Sequence, residues 1–295
     1  MNYIFNTGLE LLDICSKEGI AIHEAMIRRE MDLSDLPRNQ LREEMHKNLE
    51  VMRASVQKGL NEAHRSVSGL SGGDAQKLDS YASSSLMGTT MAKAVAAAMA
   101  VVEVNASMGR IVAAPTAGAS GILPGTLIVA ADSRSWGDDK LVDGLFTAAA
   151  IGATIAANAT IAGAEGGCQA EAGAAAAMAA AAIAELSGAK PTACLDAAAI
   201  AIKNVLGLVC DPVAGLVECP CIKRNAIGAA NAILSADLVL SGANSIIPFD
   251  ETVLAMRSVG RQIPIDLRET ARGGLAATPT AKRITKELGL FGPVE

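Results

Sequence analysis

Aromatic side chains are nearly missing from this sequence, although half of it is apolar. Of its 295 residues, 51% are hydrophobic but only 2% are phenylalanine, tryptophan or tyrosine, so the apolar content is mostly alanine with aliphatic residues and methionine. Alanine is the best helix former and loses almost no side-chain entropy on folding. Because small side chains let helices approach closely, the composition predicts tightly packed helices rather than sheets.

Excess positive charge and an export signal are missing as well. The net charge is −6, with both signs interspersed, which gives no reason to expect nucleic acid or an anionic membrane as a partner. The N-terminal stretch has neither a basic region nor a long apolar run, so we expect no signal peptide. Six cysteines in such a chain indicate a reducing compartment, where thiols are free or bind metal. We therefore expect a cytoplasmic protein.

One segment invites a membrane interpretation. From Leu145 to Ala164 the sequence carries no charge over about the length that spans a bilayer. Alanine, glycine and threonine are nearly neutral in transfer free energy, however, and no aromatic belt or basic flank marks either end. We interpret this segment as a buried helix and expect no membrane association.

Period-two stretches of branched residues, internal repeats and heptads are also missing, so the fold class is predicted as all-α. We expect a multi-helix bundle with glycine-rich loops between its helices. Residues 1–65 are more charged and are expected to form an N-terminal helical subregion, packed in one continuous domain on an alanine-rich helical region, residues 66–295. The predicted helices are 21–31, 89–109, 124–132, 138–162, 169–187, 192–206, 222–241 and 250–260, with an amphipathic helix over 41–60.

Helix boundaries are marked by several local signals. Thr7 and Glu10 form the pattern of a capping box, and the helix that they open is expected to stop at Gly19. Gly188 and Thr192 are predicted to be a C-terminal stop and the N-cap of the next helix.

The cysteines occur in two kinds of setting. Cys15 and Cys194 lie in apolar helical stretches and are expected to be small buried side chains. Cys168 lies among glycines in GAEGGCQAEAG, while Cys210 and Cys221 flank the loop DPVAGLVECP. The C-x-x-C pairs of structural zinc sites are missing. The residues alone leave structural cysteines, a labile disulfide and an iron–sulfur cluster with one Lewis-acidic open iron as alternatives.

Four stretches of the chain carry a family resemblance. APTAGASGILPG, AGAEGGCQAEAG, LGLVCDPVAGLVECPCIKRNAIG and ETARGGLA resemble the bacterial iron–sulfur-dependent L-serine dehydratases (L-serine ammonia-lyases), and more closely the alpha subunit of their two-subunit form. The resemblance runs from about residue 40 to 278. It implies conversion of L-serine to pyruvate and ammonia in amino-acid degradation and gluconeogenesis.

The resemblance also implies a cofactor and a partner. An oxygen-sensitive four-iron, four-sulfur cluster would be held by Cys168, Cys210 and Cys221, with Cys219 outside the ligand set and no pyridoxal phosphate. Single-chain members carry a further small domain ahead of the helical one, and this chain starts too late to contain it. We therefore expect a separate beta subunit, in a heterodimer or higher assembly. Some single-chain relatives end in a cysteine that reaches the active site, whereas this chain ends LFGPVE.

Two loops are the expected donors to the substrate carboxylate. They are Ser71, Gly72 and Gly73 in the polar stretch 64–85, and Thr116, Ala117 and Gly118 ahead of a helix start near Pro124. Without the resemblance, both would be interpreted as ordinary turns or connectors.

Three further residues complete the predicted chemistry. Asn158 is either a donor on the inner wall of the site or a helix–helix hydrogen bond. His64, next to the polar loop, is the expected base that removes the α-proton, unless the beta subunit supplies a histidine. Lys223 would need burial to lose its proton. The alternative functions are a lyase of this scaffold acting on threonine or cysteine, and a non-catalytic iron–sulfur module.

Overall fold

The computed structural model describes residues 3–289, and over that range the chain is helical without a β-strand. The all-α prediction is therefore confirmed. The α-helices are α1 (Gly8–Glu18), α2 (Ile22–Ser34), α3 (Arg38–Asn61), α4 (Asp74–Tyr81), α5 (Thr89–Ala106), α6 (Ile122–Arg134), α7 (Asp138–Asn158), α8 (Gly163–Gly166), α9 (Ala174–Leu186), α10 (Pro191–Lys203), α11 (Cys221–Leu240), α12 (Phe249–Gln262) and α13 (Pro279–Glu287). The sequence LFGPVE that was noted at the C-terminus begins at residue 290 and lies outside the described residues.

The local signals at the helix ends are mostly confirmed. Thr7 and Glu10 form the predicted capping box of α1, and Gly19 ends that helix at a φ of 65°. Gly188, at a φ of 95°, follows the end of α9. The prediction for Thr192 is wrong, because α10 begins one residue earlier at Pro191. Proline has a fixed φ and lacks an N–H, so it suits the first position of a helix.

The expected list of helices lacked α4, α8 and α13. The polar stretch 64–85 contains α4, α8 lies between two predicted helices, and α13 covers a segment where no helix was expected. The expected helix over 169–187 begins with a π-helical turn, Gln169–Gly173, before the regular helix α9. π-Helical turns are rare overall, and those that occur are often found at functional sites.

Helix α9 is the centre of the bundle and packs against α6, α7, α10 and α11. All of its side chains except Glu185 are buried, and most of them are alanines. Glycines elsewhere bring the surrounding helices equally close: a Cβ on Gly59 would lie 2.4 Å from the carbonyl oxygen of Ala100, and one on Gly125 would lie 2.5 Å from the nitrogen of Ala98. Small residues therefore set the spacing of α3, α5 and α6, as the composition predicts.

Helix α7 contains most of the uncharged segment discussed above. It is the one helix in the described part of the chain that is long and apolar enough to cross a membrane. It packs against α2, α3, α9 and α12, and 61% of its most apolar window is buried inside the protein. This burial matches the core helix that the sequence predicts.

The N-terminal helices share the main core. Phe5, Leu11 and Ile22 are buried in the same continuous cluster as the apolar side chains of α7 and α9. The division at residue 65 stays a sequence-based expectation.

Candidate active site

Three of the six cysteines come together at the N-terminal end of α9. Cys168 precedes the π-helical turn, Cys210 lies in the segment after α10, and Cys221 is the first residue of α11. Arg224, in the first turn of α11, donates to the carbonyl of Val209 beside Cys210. The charge of Cys168 raises the pKa of both Cys210 and Cys221. The other pair, Cys15 and Cys194, is buried near the opposite end of α9.

Cys168 and Cys210 are positioned by different local structures. Gly167, at a φ of 77°, directs the chain into the turn that carries Cys168, and a Cβ on it would lie 2.7 Å from Ile263 Cδ1. The N–H of Cys210 donates to the carbonyl of Leu267 at 2.8 Å, and its carbonyl accepts from the N–H of Glu269 at 2.6 Å. The segment ETARGGLA therefore lies beside the site, as part of its frame.

Burial keeps the free thiols protonated. It raises the pKa of Cys168 to about 11 and that of Cys221 to about 12, and it also raises the pKa of Cys210. Arg224 acts in the opposite direction on Cys168 and Cys221. Since metal ligands must be thiolates, binding of iron here has to release protons.

Arg224 and Asp211 form a buried ion pair next to these thiols. Arg224 donates to Asp211 Oδ1 and to the carbonyl of Val209, each at 2.7 Å. The second oxygen of Asp211 accepts from the N–H of Leu275 at 2.7 Å. With side chains only 11% and 5% exposed, the pair fixes α11 to the segments on both sides of Cys210.

Glu171 projects from the π-helical turn toward the same place. Its Oε1 accepts from the hydroxyl of Thr116 at 2.7 Å, which brings the predicted loop Thr116–Gly118 to the thiols. Burial raises the pKa of the Glu171 carboxyl, and this effect outweighs the hydrogen bond from Thr116. The charge of Glu171 raises the pKa of all three thiols.

The second predicted loop is tied to the cysteine loop by Glu218. The hydroxyls of Ser68 and Ser71 donate to the two carboxylate oxygens of Glu218 at 2.7 and 2.5 Å. Glu218 lies three positions before Cys221. The structure thus brings the polar loop and the cysteine loop together, as the predicted site requires.

Some of the N–H groups predicted to bind the substrate already have partners. The N–H groups of Gly73, Asp74 and Ala75 donate to the buried carboxylate of Glu103 at 2.9 to 3.2 Å. Gly72 is required by packing, because a Cβ on it would lie 2.0 Å from the carbonyl oxygen of His64. Substrate binding by Gly72 and Gly73 stays a prediction.

The loop that contains Ala117 is held by hydrogen bonds to Asn225 of α11. Ala117–Ala119 form a 3-10 turn. The side-chain NH2 of Asn225 donates to the carbonyl of Gly118 at 2.7 Å. The N–H of Gly121 donates to Oδ1 of Asn225 at 3.0 Å. Asn225 lies one turn after Cys221 in α11, so this loop and the cysteine share a rigid support.

His64 and Asn158 are both engaged in local hydrogen bonds. The Nε2 of His64 lies 2.9 Å from the carbonyl of Lys58 and donates to it, which leaves Nδ1 as the nitrogen with a free lone pair. The Asn158 amide donates to the carbonyls of Asn6 and Thr154 at 2.6 and 2.9 Å. One of the bonds of Asn158 is thus within α7, and the other joins α7 to the segment ahead of α1, so neither is a bond between two helices. Roles in catalysis or substrate binding stay predictions for both residues.

The donor set fits an iron–sulfur cluster better than a single ion. Within residues 3–289, no three histidine, cysteine or acidic side chains converge as one metal ion needs. A cluster is bound through separate irons, so its thiolates need not meet at a point. Cys168 and Cys221 begin helical segments, where the helix dipole favours thiolates, and Arg224 adds a positive charge. Cys219 is exposed, unlike these three.

Sequence reasoning missed four charged residues of the site, Glu171, Asp211, Glu218 and Arg224. All four lie inside the motifs that carry the family resemblance. Their signal was a charge in an otherwise apolar stretch, but only the fold shows which partners each charge meets.

Comparisons with known proteins give a consistent result. A family profile described as "Serine dehydratase alpha chain" matches residues 17–276. The "Probable L-serine dehydratase, alpha chain" of Bacillus subtilis (strain 168) is 49% identical over 287 residues, which is 97% of this chain and 95% of the relative. The "L-serine dehydratase, alpha chain" of Peptoniphilus asaccharolyticus is 45% identical over 286 residues, 96% of this chain and 98% of the relative.

A third relative is longer than this chain. The "L-serine dehydratase" of Streptomyces coelicolor is 38% identical over 283 residues, which is 94% of this chain but 61% of the relative. Its name carries no mention of an alpha chain, and more than a third of its length lies outside the match.

Proposed function

Since the chain belongs to the serine dehydratase alpha chain family, we propose that it is the alpha subunit of an L-serine dehydratase, a lyase that converts L-serine to pyruvate and ammonia. One observation carries the proposal: the segments of Cys168, Cys210 and Cys221 lie around the N-terminal end of α9, and hydrogen bonds tie the two predicted substrate loops to them. The relatives reported above are named for serine, so lyases for threonine or cysteine and a non-catalytic module are not favoured.

We propose that the three cysteines hold a four-iron, four-sulfur cluster. Such a cluster, when bound through three thiolates, supplies a Lewis-acidic iron that helps the substrate hydroxyl to leave. The Arg224–Asp211 pair keeps the segment of Cys210 and the start of α11 in register. The proposal includes no pyridoxal phosphate, because none of the residues placed in the site is a lysine.

The chain's own residues then bind and orient the substrate. Dehydration of serine removes the α-proton and the β-hydroxyl, and the aminoacrylate that results tautomerises to an imine, which water hydrolyses to pyruvate and ammonia. The backbone N–H groups around Gly118 are the proposed donors to the substrate carboxylate. The hydroxyls of Thr116 and Ser71 donate to Glu171 and Glu218, and their free lone pairs are proposed to accept from the substrate. Nδ1 of His64, or a histidine of the second subunit, is proposed to accept the α-proton.

We propose a beta subunit as the obligatory partner. Two of the relatives are named alpha chains, and the Streptomyces relative extends well beyond the matched region. A separate beta subunit would supply the part of the enzyme that this extension forms in the longer relative. We further propose that the assembly acts in the cytoplasm, where thiols stay reduced.

The test is anaerobic co-expression of this chain with a beta subunit, followed by assays of pyruvate and of 2-oxobutanoate. We expect iron-dependent pyruvate release from L-serine and much weaker release of 2-oxobutanoate from L-threonine. The chain expressed alone is the control for the partner, and an air-exposed sample is the control for the cluster. An iron-loaded complex that releases no pyruvate from L-serine would contradict the proposed function.

A further inference from the structure

Glu171 has one carboxylate oxygen that is bonded and one that is open. Thr116 donates to Oε1 at 2.7 Å, whereas Oε2 receives no hydrogen bond from residues 3–289. Glu171 is only half-buried, so this oxygen is accessible to a ligand that enters the site. A ligand with a hydrogen-bond donor would find an acceptor there that no residue of the described chain occupies.

Two glycines border the open oxygen, so that no side chain from these positions fills the space beside it and the Cys210 thiol. A Cβ on Gly163 would lie 2.6 Å from Glu171 Oε2 and 3.1 Å from Cys210 Sγ. A Cβ on Gly118 would lie 3.3 to 3.4 Å from the two carboxylate oxygens. Glycine at both positions therefore keeps side chains away from this carboxylate, on the side that faces the cysteines.

The charges around the thiols favour a cationic group in that space. The carboxylates of Glu171 and Glu269 both act on the thiols of Cys210 and Cys221. The positive charge that acts on the Cys168 and Cys221 thiols is that of Arg224, which is already paired with Asp211. An excess of negative charge in a recess attracts a ligand with a positive group and repels one that is purely anionic.

The substrate of the proposed reaction carries such a group. L-Serine is a zwitterion whose ammonium is attached to Cα, and an ammonium paired with a carboxylate makes a strong charge-assisted hydrogen bond. We infer that Oε2 of Glu171 binds the α-ammonium of the substrate and so selects an amino acid over the corresponding hydroxy acid. This inference rests on the proposed function and deepens it, since a three-thiol cluster site has no intrinsic preference for an amino group.

The test uses two ligands that differ only at Cα. L-Glycerate has a hydroxyl where L-serine has the ammonium. With the anaerobic holoenzyme and its beta subunit, we measure KM and kcat for L-serine, equilibrium binding of both ligands by calorimetry, iron content and the visible spectrum. Glu171→Gln keeps the size and the hydrogen bond to Thr116 but removes the charge.

The expected result is a change in discrimination. Loss of one hydrogen bond to a charged group should weaken L-serine binding and raise KM by at least about tenfold. In Glu171→Gln, L-glycerate binding, iron content and the visible spectrum should stay as in the wild type. Glu171→Asp should restore part of the preference for L-serine over L-glycerate. Glu165→Gln is the matched control: Glu165 also accepts from a threonine, Thr160, at 2.7 Å, but it is exposed.

Three results would overturn the inference. Glu171→Gln could behave like Glu165→Gln, it could weaken both ligands equally, or it could lower kcat at unchanged KM, which would indicate proton transfer instead. If Glu171→Gln loses iron, the binding ratio of Glu171→Asp decides, provided that it retains iron: a reduced preference for L-serine over L-glycerate supports the inference, and an unchanged preference contradicts it. Failure of the proposed function is separate, because a wild type that binds L-serine without releasing pyruvate would still test the selectivity of Glu171.

Discussion

The two ends of α9 carry similar residues in opposite states. At each end a glutamate accepts a hydrogen bond from a threonine and lies near cysteines: Glu171 with Thr116 at the N-terminal end, and Glu185 with Thr147 at the C-terminal end. Glu185 also accepts from the N–H groups of Ile22 and His23 and from the His23 ring. Its acceptors are filled by the chain, whereas one oxygen of Glu171 is open.

The difference also appears in the pKa values. Burial alone would raise the pKa of Glu185, but His23 and Thr147 outweigh burial and lower it. At Glu171 burial prevails and the pKa is raised. A carboxylate with a structural role is stabilised by hydrogen bonds and positive charges from the protein itself. A carboxylate in a binding site often lacks such partners until a ligand is bound. The contrast supports a structural role for the C-terminal end of α9 and the proposed chemistry at the other end.

The largest expected effect separates the two groups of cysteines. Replacing Cys168, Cys210 or Cys221 with alanine should each remove nearly all bound iron, because a cluster left with two protein ligands is poorly held. Cys15→Ala and Cys194→Ala should retain it, as should Cys219→Ala, the matched control within the same loop. Iron analysis after anaerobic purification checks this. Iron lost from the Cys15 or Cys194 variants would mean that the ligands are misassigned.

The second effect concerns stability. Glu185→Gln leaves His23 and two backbone N–H groups without their charged partner, in a site where the Glu185 side chain is 6% exposed, and should cost about 3 kcal/mol of unfolding free energy. Denaturant unfolding measures it. Glu171→Gln should lie within about 1 kcal/mol of the wild type, because its charge is poorly stabilised by the protein. Equal losses in both variants would remove the distinction between the two ends.

The smallest effect is the pH dependence of the Glu185–His23 pair. Burial lowers the pKa of His23, but Glu185 outweighs it, so the pKa is raised from 6.5; that of Glu185 is lowered from 4.5. The contribution of His23 to the free energy of unfolding is thus complete below pH 6.5 and is lost as the pH rises through the pKa of His23 in the folded state. The contribution of Glu185 is complete above pH 4.5 and is lost as the pH falls through the pKa of Glu185 in the folded state. The stability difference between wild type and His23→Gln should therefore be greatest between these pH values.

A denaturation series from pH 4 to 9 with both proteins checks this window. A difference that stays constant across the series, or that grows above neutral pH, would contradict the pairing of His23 with Glu185.

The sequence predicts most of the fold because its signals are local. The capping box at Thr7, the stop at Gly19 and the alanine-rich pattern of α9 depend on neighbours in the chain, and the structure confirms them. Thr192 shows the limit of such signals, since a proline one residue earlier takes the first helical position. Helix α13 was not predicted, because its short polar segment has few buried residues to mark it.

The site is only partly visible in sequence for a different reason. The family resemblance indicates which cysteines are the candidate ligands. The proposed role of Glu171, however, depends on its contacts with Thr116 and Gly163, which only the fold brings close to it. The N–H groups at Gly73 illustrate the opposite case. They look available for an anion in sequence, yet Glu103 from α5 occupies them. No local pattern reports a partner that arrives from another helix.

The central claim is that the N-terminal end of α9 carries both the cluster and the substrate. Anaerobic titration of the complex with L-serine, followed through the visible absorbance of the iron, tests it most directly. The account predicts a saturable spectral change that tracks pyruvate release, with Glu171→Gln shifting the midpoint to at least about tenfold higher L-serine. An iron spectrum that does not respond to L-serine in an iron-loaded complex would contradict the account.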